Sequence, residues 1–112
     1  KGYMTLNPVG CVLRFGDIQI DERKCEVRKN GTVVGLTAKE FQILLFLAQH
    51  ANHIISKRKL YENIWAEEYI DDNTIMVHIR HLREKLENDP GNPRYILTVK
   101  GLGYKLALEG MK

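Results

Sequence analysis

Long apolar runs are missing from this sequence. The longest, Ile43-Leu44-Leu45-Phe46-Leu47-Ala48, is fenced by Lys39, Glu40 and Gln49 and falls far short of the roughly 18 residues of a membrane span. The opening KGYMTLNPVG has no apolar stretch or small-residue cleavage site of the secretory kind. Cysteine is scarce: Cys11 and Cys25 stand alone with no C-x-x-C. Two cysteines make neither a disulfide scaffold nor a four-ligand zinc site, and a reducing, cytosolic setting is the simplest reading. His50-x-x-His53 and His78-x-x-His81 are imidazole pairs with no third ligand at an evident spacing, so no metal and no cofactor is expected. There is no P-loop, G-x-S-x-G, H-E-x-x-H or Gly-rich dinucleotide turn, and therefore no motif for an enzyme. Internal repeats and low-complexity segments are also lacking.

What is present is ordinary globular material. The 112 residues are 44% hydrophobic and 28% charged, which suits one domain with one core. Residues 1–10 are polar, contain Asn7-Pro8 and read as a linker or tail; 11–108 read as the domain and 109–112 as a C-terminal tail. The net charge of +3 is modest, but its placement is uneven. Residues 73–105 hold six cations (Arg80, Arg83, Lys85, Arg94, Lys100, Lys105) against Glu84, Glu87 and Asp89. The other 79 residues hold eleven charges of each sign, so the whole excess sits in the last third. Localised positive charge is the footprint expected of a phosphate-backbone binder; scattered solvation of a helix face is the bland alternative.

The pattern is strands first, then helices, then strands. Residues 11–36 alternate in apolar and polar character, and Asn30-Gly31 is a strong hairpin signal. Three or four short antiparallel strands are expected, with one face packed. Thr37-Ala38-Lys39-Glu40 is a capping box opening a helix whose apolar stripe is wide enough to be central. Ser56 caps a second helix, Lys57 to Trp65, with three cations in its first turn. Four acids crowd positions 66–72, and Asp71 or Asp72 caps a third helix predicted to run to about Asn88, before Pro90-Gly91-Asn92-Pro93. Two strands around Lys100-Gly101-Leu102-Gly103 finish the domain as a cation-tipped hairpin.

The third helix carries the functional signal. Ile75, Ile79, Leu82 and Leu86 form one apolar stripe, and Asn73, Val77, Arg80, His81 and Glu84 lie opposite, flanked by His78 and Arg83. An amide, a guanidinium fork, imidazoles and one exposed aliphatic are the tools for reading base edges in a major groove. Three helices, a basic last helix and a hairpin with Lys at its tip describe a winged helix.

At this point a family resemblance is visible. L-T-A-K-E-F-Q-I-L-L-F-L (36–47), S-K-R-K-L-Y-E-N-I-W (56–65), N-T-I-M-V-H-I-R-H-L-R-E-K-L (73–86) and Y-I-L-T-V-K-G-L-G-Y-K-L (95–106) resemble the effector domain of bacterial OmpR/PhoB-type response regulators. The resemblance implies an α+β fold: a winged helix-turn-helix opened by a four-stranded antiparallel sheet, with three helices and a C-terminal hairpin wing. It implies sequence-specific binding to double-stranded DNA, with groove-reading positions at Asn73, Thr74, Val77, His78 and His81. Backbone and flank contacts fall on Lys57, Trp65, Arg80, Arg83 and Thr98, and the wing contact on Lys100. It further implies a phosphorylated receiver domain upstream, a cognate histidine kinase, binding to direct repeats, and a loop (Glu67, Glu68, Asp71) that meets RNA polymerase. The isolated domain is expected to be a monomer in the bacterial cytoplasm. Four positions depart from the commonest pattern: His81 and Lys100 stand where Arg is frequent, Asn73 where a basic residue is often seen, and Ala66 where Gly is usual. The rival reading is a winged helix used for protein–protein contact without DNA.

Overall fold

The computed structural model describes residues 12–66 and 71–107. The expected linker 1–10, Cys11, Glu67, Glu68 and the expected tail 109–112 lie outside them. The chain opens with four strands, β1 (Val12–Phe15), β2 (Ile18–Asp21), β3 (Glu26–Lys29) and β4 (Thr32–Val34), paired antiparallel in chain order. Side chains alternate across a strand, and Phe15, Ile18, Ile20 and Val27 fill the packed face. Asn30 and Gly31 both take positive φ, 53° and 81°, as a two-residue hairpin turn requires. At Gly16 (φ +55°) a Cβ would sit 2.1 Å from the Tyr95 hydroxyl, so only glycine fits. Strand β3 begins at Glu26, because Cys25 itself turns the chain at φ 52°.

Helix α1 (Ala38–Gln49) starts at the capping box foreseen in the sequence: Thr37 Oγ1 accepts from the Glu40 N–H, and Glu40 accepts from the Thr37 N–H. Its stripe of Phe41, Ile43, Leu44, Leu47 and Ala48 is buried. Helix α2 (Lys57–Leu60) is capped by Ser56, then widens into a π-helical turn over Tyr61–Trp65. The wider turn ends at Ala66 with φ 54° and ψ −108°, a conformation that suits glycine. Helix α3 (Asp72–Leu86) is capped by Asp71, whose Oδ1 accepts from the Thr74 N–H and hydroxyl.

Helix α3 stops at Leu86, two residues short of the predicted Asn88. The cause is Glu87, which is extended and 5% exposed. Its carboxylate accepts the backbone N–H groups of Arg94, Tyr95 and Ile96, a set of partners that a helical Glu87 would forgo. Lys29 reaches the same end of α3, donating to the Leu86 carbonyl at 2.8 Å, to Asn88 and to Asp17. A cation at a helix C-terminus satisfies an orphan carbonyl and complements the dipole. The first sheet and α3 are thus joined directly.

The final hairpin pairs β5 (Ile96–Val99) with β6 (Gly103–Leu106). Ile55, just ahead of α2, exchanges backbone bonds with Tyr104 at 2.7 and 2.9 Å, acting as a one-residue third strand. The backbone passes so close that a Cβ on Gly103 (φ +147°) would lie 2.1 Å from the Ile55 carbonyl oxygen. The core between sheet, helices and hairpin is Leu44, Leu47, Leu60, Ile75, Ile79, Leu82, Leu86, Ile96 and Leu106, all essentially without exposed surface.

Candidate nucleic-acid interface

The interface is built from one face of α3, the hairpin beside it and the start of α2. Ile75, Ile79, Leu82 and Leu86 are buried, which fixes the rotation of α3 and turns Asn73, Val77, Arg80 and Glu84 to solvent. Asn73 and Arg80 have no partner among the described residues. Val77 is 38% exposed, a notable fraction for a branched aliphatic on a charged helix.

Two open clefts run between this face and the hairpin. One, of about 440 Å³, is lined by Asn73, Val77, Arg80, Arg83 and Thr98 among others. The other, of about 380 Å³, lies against the hairpin tip and is lined by Lys57, Thr98, Lys100 and Leu102 among others. Lys100 is exposed at the tip, in a turn closed by the Leu102 N–H on the Val99 carbonyl. Lys57 brings α2 to the same cleft. Arg83 does two things: its Nε donates to the Ile96 carbonyl at 3.0 Å and its Nη2 to the Thr98 hydroxyl at 2.7 Å. It therefore holds the hairpin at a set distance from α3 while keeping part of its guanidinium at the surface.

Four of the expected site residues, Trp65, Thr74, His78 and His81, make contacts within the protein, and of these His78 stands on the flank expected of it. Trp65 is 6% exposed and lies beneath the surface. Its ring meets the His78 imidazole edge-on at 5.3 Å, with the Lys39 ammonium 5.4 Å from its centroid. His78 is half-buried on the flank, with Nδ1 2.7 Å from the Thr74 carbonyl oxygen. Thr74 spends its hydroxyl on Asp71. His81, expected on the outward face, turns toward α1, with Nδ1 3.4 Å from Glu40 Oε2. Lys85 completes that cluster at 2.7 Å from Glu40 Oε1. Burial would push the Glu40 carboxyl up, but the Lys85 hydrogen bond, the Thr37 N–H and the charges of Lys85 and His81 outweigh it, and its pKa lies below the ordinary value. The partner that captures His81 is 41 positions away in the chain, which no local pattern reveals. Of the acidic loop, only Asp71 lies within the described residues as a predicted contact, and it serves as the cap of α3.

Two residues of the interface escaped the sequence reading. Met76, 50% exposed, lines both clefts, and Leu102, 59% exposed, stands at the hairpin tip. Met76 sits at the border of the outward arc of α3, a position that could have flagged it. Among the described residues no group of three or more His, Cys, Asp or Glu is placed to hold a metal ion. No described helix is long and apolar enough to cross a membrane.

A capped helix with a solvent-facing mixed surface, flanked by a cation-tipped hairpin and preceded by a four-stranded sheet, is a winged helix of the DNA-binding-domain type. Residues 31–106 match the family described as transcriptional regulatory protein, C terminal. The chain belongs to that family, and its likeness to solved structures is to OmpR/PhoB-type response regulators. It is 44% identical over 99 residues to the transcriptional regulatory protein YcbL of Bacillus subtilis, covering 88% of this chain and 44% of that protein. The Thermotoga maritima response regulator DrrB, an OmpR/PhoB homolog, superposes with TM-score 0.82 at 37% identity, over 87% of this chain and 44% of that one. The Klebsiella pneumoniae RstA DNA-binding domain, solved in complex with RstA box, does so with TM-score 0.78 at 33% identity, over 86% and 96%. The chain spans less than half the length of the first curated relatives it matches.

Proposed function

We propose that this domain binds double-stranded DNA sequence-specifically, as the effector part of a bacterial response-regulator transcription factor. One observation carries the reading: the cleft bordered by Asn73, Val77, Arg80 and Arg83 and the cleft bordered by Lys57 and Lys100 share Met76, Thr98 and Tyr104, so the outward face of α3 and the hairpin tip open side by side. The RstA neighbour in complex with its box supports it. Helix α3 enters the major groove. Asn73 offers the amide suited to adenine, Arg80 the fork suited to guanine or phosphate, and Val77 an apolar contact for a thymine methyl. Lys57 and Arg83, with Thr98, fix register on phosphates at the flanks, which carry affinity but no sequence information. Lys100 reaches the adjacent minor groove, whose narrow A·T-rich form attracts cations.

The wider assignments belong to the same proposal. A phosphorylated receiver domain lies upstream and answers to a histidine kinase. Receiver pairing brings two effector domains onto direct repeats by raising their effective concentration, and this domain alone is a monomer in the cytoplasm. Glu67, Glu68 and Asp71 are the residues offered to RNA polymerase. No catalytic step is part of this reading.

The test is selection from a random duplex pool, followed by titration of the recovered site across a salt series. Log affinity falls linearly with log salt for a protein that neutralises phosphates. A flat response, or no enriched site, favours a protein-binding winged helix instead.

A further inference from the structure

Met76 and Leu102 belong to different elements, yet they line one cleft. Met76 stands on the side of α3 that borders the hairpin, Leu102 at the hairpin tip, and both are at least half exposed. Single apolar residues at a surface are ordinary, but two large ones meeting in one concave place mark a contact surface. The core does not need them. Ile75, Ile79, Leu82 and Leu86 anchor α3, and Ile96, Tyr104 and Leu106 anchor the hairpin.

The same cleft also carries polar groups. Lys57 lines it from the start of α2, Lys100 from the tip and Thr98 from β5. The Thr98 hydroxyl accepts from Arg83 Nη2 at 2.7 Å, and a hydroxyl that accepts still has its own hydrogen to give. Cations and a hydroxyl donor are thus combined with a wall of methyl groups and thioether. A sugar-phosphate strand has the matching alternation, anionic at each phosphate and largely carbon at each sugar.

Geometry brings such a strand to this cleft. A helix in the major groove and a hairpin in the adjacent minor groove stand on either side of one backbone ridge. The ridge has to cross the space between α3 and the hairpin tip. Its phosphates take the cations and the hydroxyl, which leaves the sugar for the apolar wall. We propose that Met76 and Leu102 form an apolar seat for a deoxyribose of this strand, and that the seat selects DNA over RNA at that nucleotide. The inference rests on the DNA-binding reading above. Deoxyribose presents a CH2 at C2′. Ribose presents a hydroxyl there, projecting on the minor-groove side, which is the side of the hairpin. Held against thioether and methyl groups, that hydroxyl loses water and gains no partner.

The experiment uses the duplex recovered by selection, with one ribonucleotide placed at each position of each strand in turn. Anisotropy titration is expected to show a roughly ten-fold loss of affinity at one or two neighbouring nucleotides of one strand per bound domain. They should lie between the bases read by α3 and the steps under the hairpin. A 2′-fluoro nucleotide at the same place shifts the sugar pucker as ribose does but carries no hydroxyl, and is expected to bind within about two-fold of DNA. Leu102→Ser and Met76→Gln supply hydrogen-bonding partners. Each is expected to bring the ratio of deoxy to ribo affinity at that nucleotide toward one, with the salt slope on DNA unchanged because no phosphate contact is lost. The ratio is taken within each variant, so any loss of folded protein cancels. Even tolerance of ribonucleotides along both strands, an equal penalty from the fluoro nucleotide, or a ratio unmoved in both variants overturns the sugar seat and leaves DNA binding standing. Failure to bind any all-DNA duplex overturns the underlying reading instead.

Discussion

Lys100 and Val77 meet different parts of a duplex in the proposed complex, and substitution separates them. Lys100→Ala removes one phosphate-neutralising charge; affinity falls across all sequences and the salt slope decreases by roughly one. Val77→Ala removes an apolar contact and no charge. It changes base preference in a repeated selection while the salt slope stays nearly constant. Identical behaviour of the two would show that the face and the tip are not doing separate jobs. Ala66 is a different kind of residue-scale case. It holds φ 54° and ψ −108° at the end of the π turn, a strained region for a side chain with a Cβ. Ala66→Gly relieves that strain against a smaller entropic cost, so the domain gains about 1 kcal/mol in denaturant unfolding, with the α2 helix unchanged.

At the scale of elements, the hairpin and α2 are stitched together through Ile55 and Tyr104. Gly103→Ala puts a Cβ into the Ile55 carbonyl. The expected loss is about 2 kcal/mol or more in thermal unfolding, with faster amide exchange at Ile55 and Tyr104 before the rest of the core. Which elements were legible in the sequence follows from range. The Thr37–Glu40 box, the Ser56 cap, the Asn30-Gly31 turn and the stripe of Ile75, Ile79, Leu82 and Leu86 are short-range patterns, and each appears where the pattern puts it. The end of α3 does not, because it is set by a buried carboxylate gathering N–H groups seven to nine positions on. The π turn leaves no mark in residue periodicity either. For the site, the central face of α3 and Lys100 were legible as exposed polar positions. The capture of His81 by Glu40, the contacts of Trp65 with His78 and Lys39 and the role of Arg83 as a strut depend on partners that only folding brings close.

For the whole molecule, two carboxylates among the described residues contribute to stability that is lost in acid. Burial would raise the Asp17 carboxyl, yet hydrogen bonds from Lys29 and Tyr95 hold it below its ordinary value, as Lys85 and Thr37 do for Glu40. Both native groups bind their protons less readily than in the unfolded chain. Their contribution is complete above the ordinary carboxylate range and is lost as pH falls through the lowered native values. Urea midpoints should accordingly hold steady near neutrality and drop below about pH 4, and Glu40→Gln should shrink that drop. At the alkaline end, burial raises the Tyr95 phenol. The native state keeps that proton longer than the unfolded chain, so stability declines as pH climbs above the ordinary phenol range of about 10.

The bonds between Ile55 and Tyr104, together with the Arg83 bridge to β5, make helix and hairpin a single stiff caliper. A gauge of fixed opening cannot adjust to the object it grips. In the proposed complex any mismatch in groove spacing falls on the duplex, so flexible steps between the two footprints will be favoured although no side chain touches them.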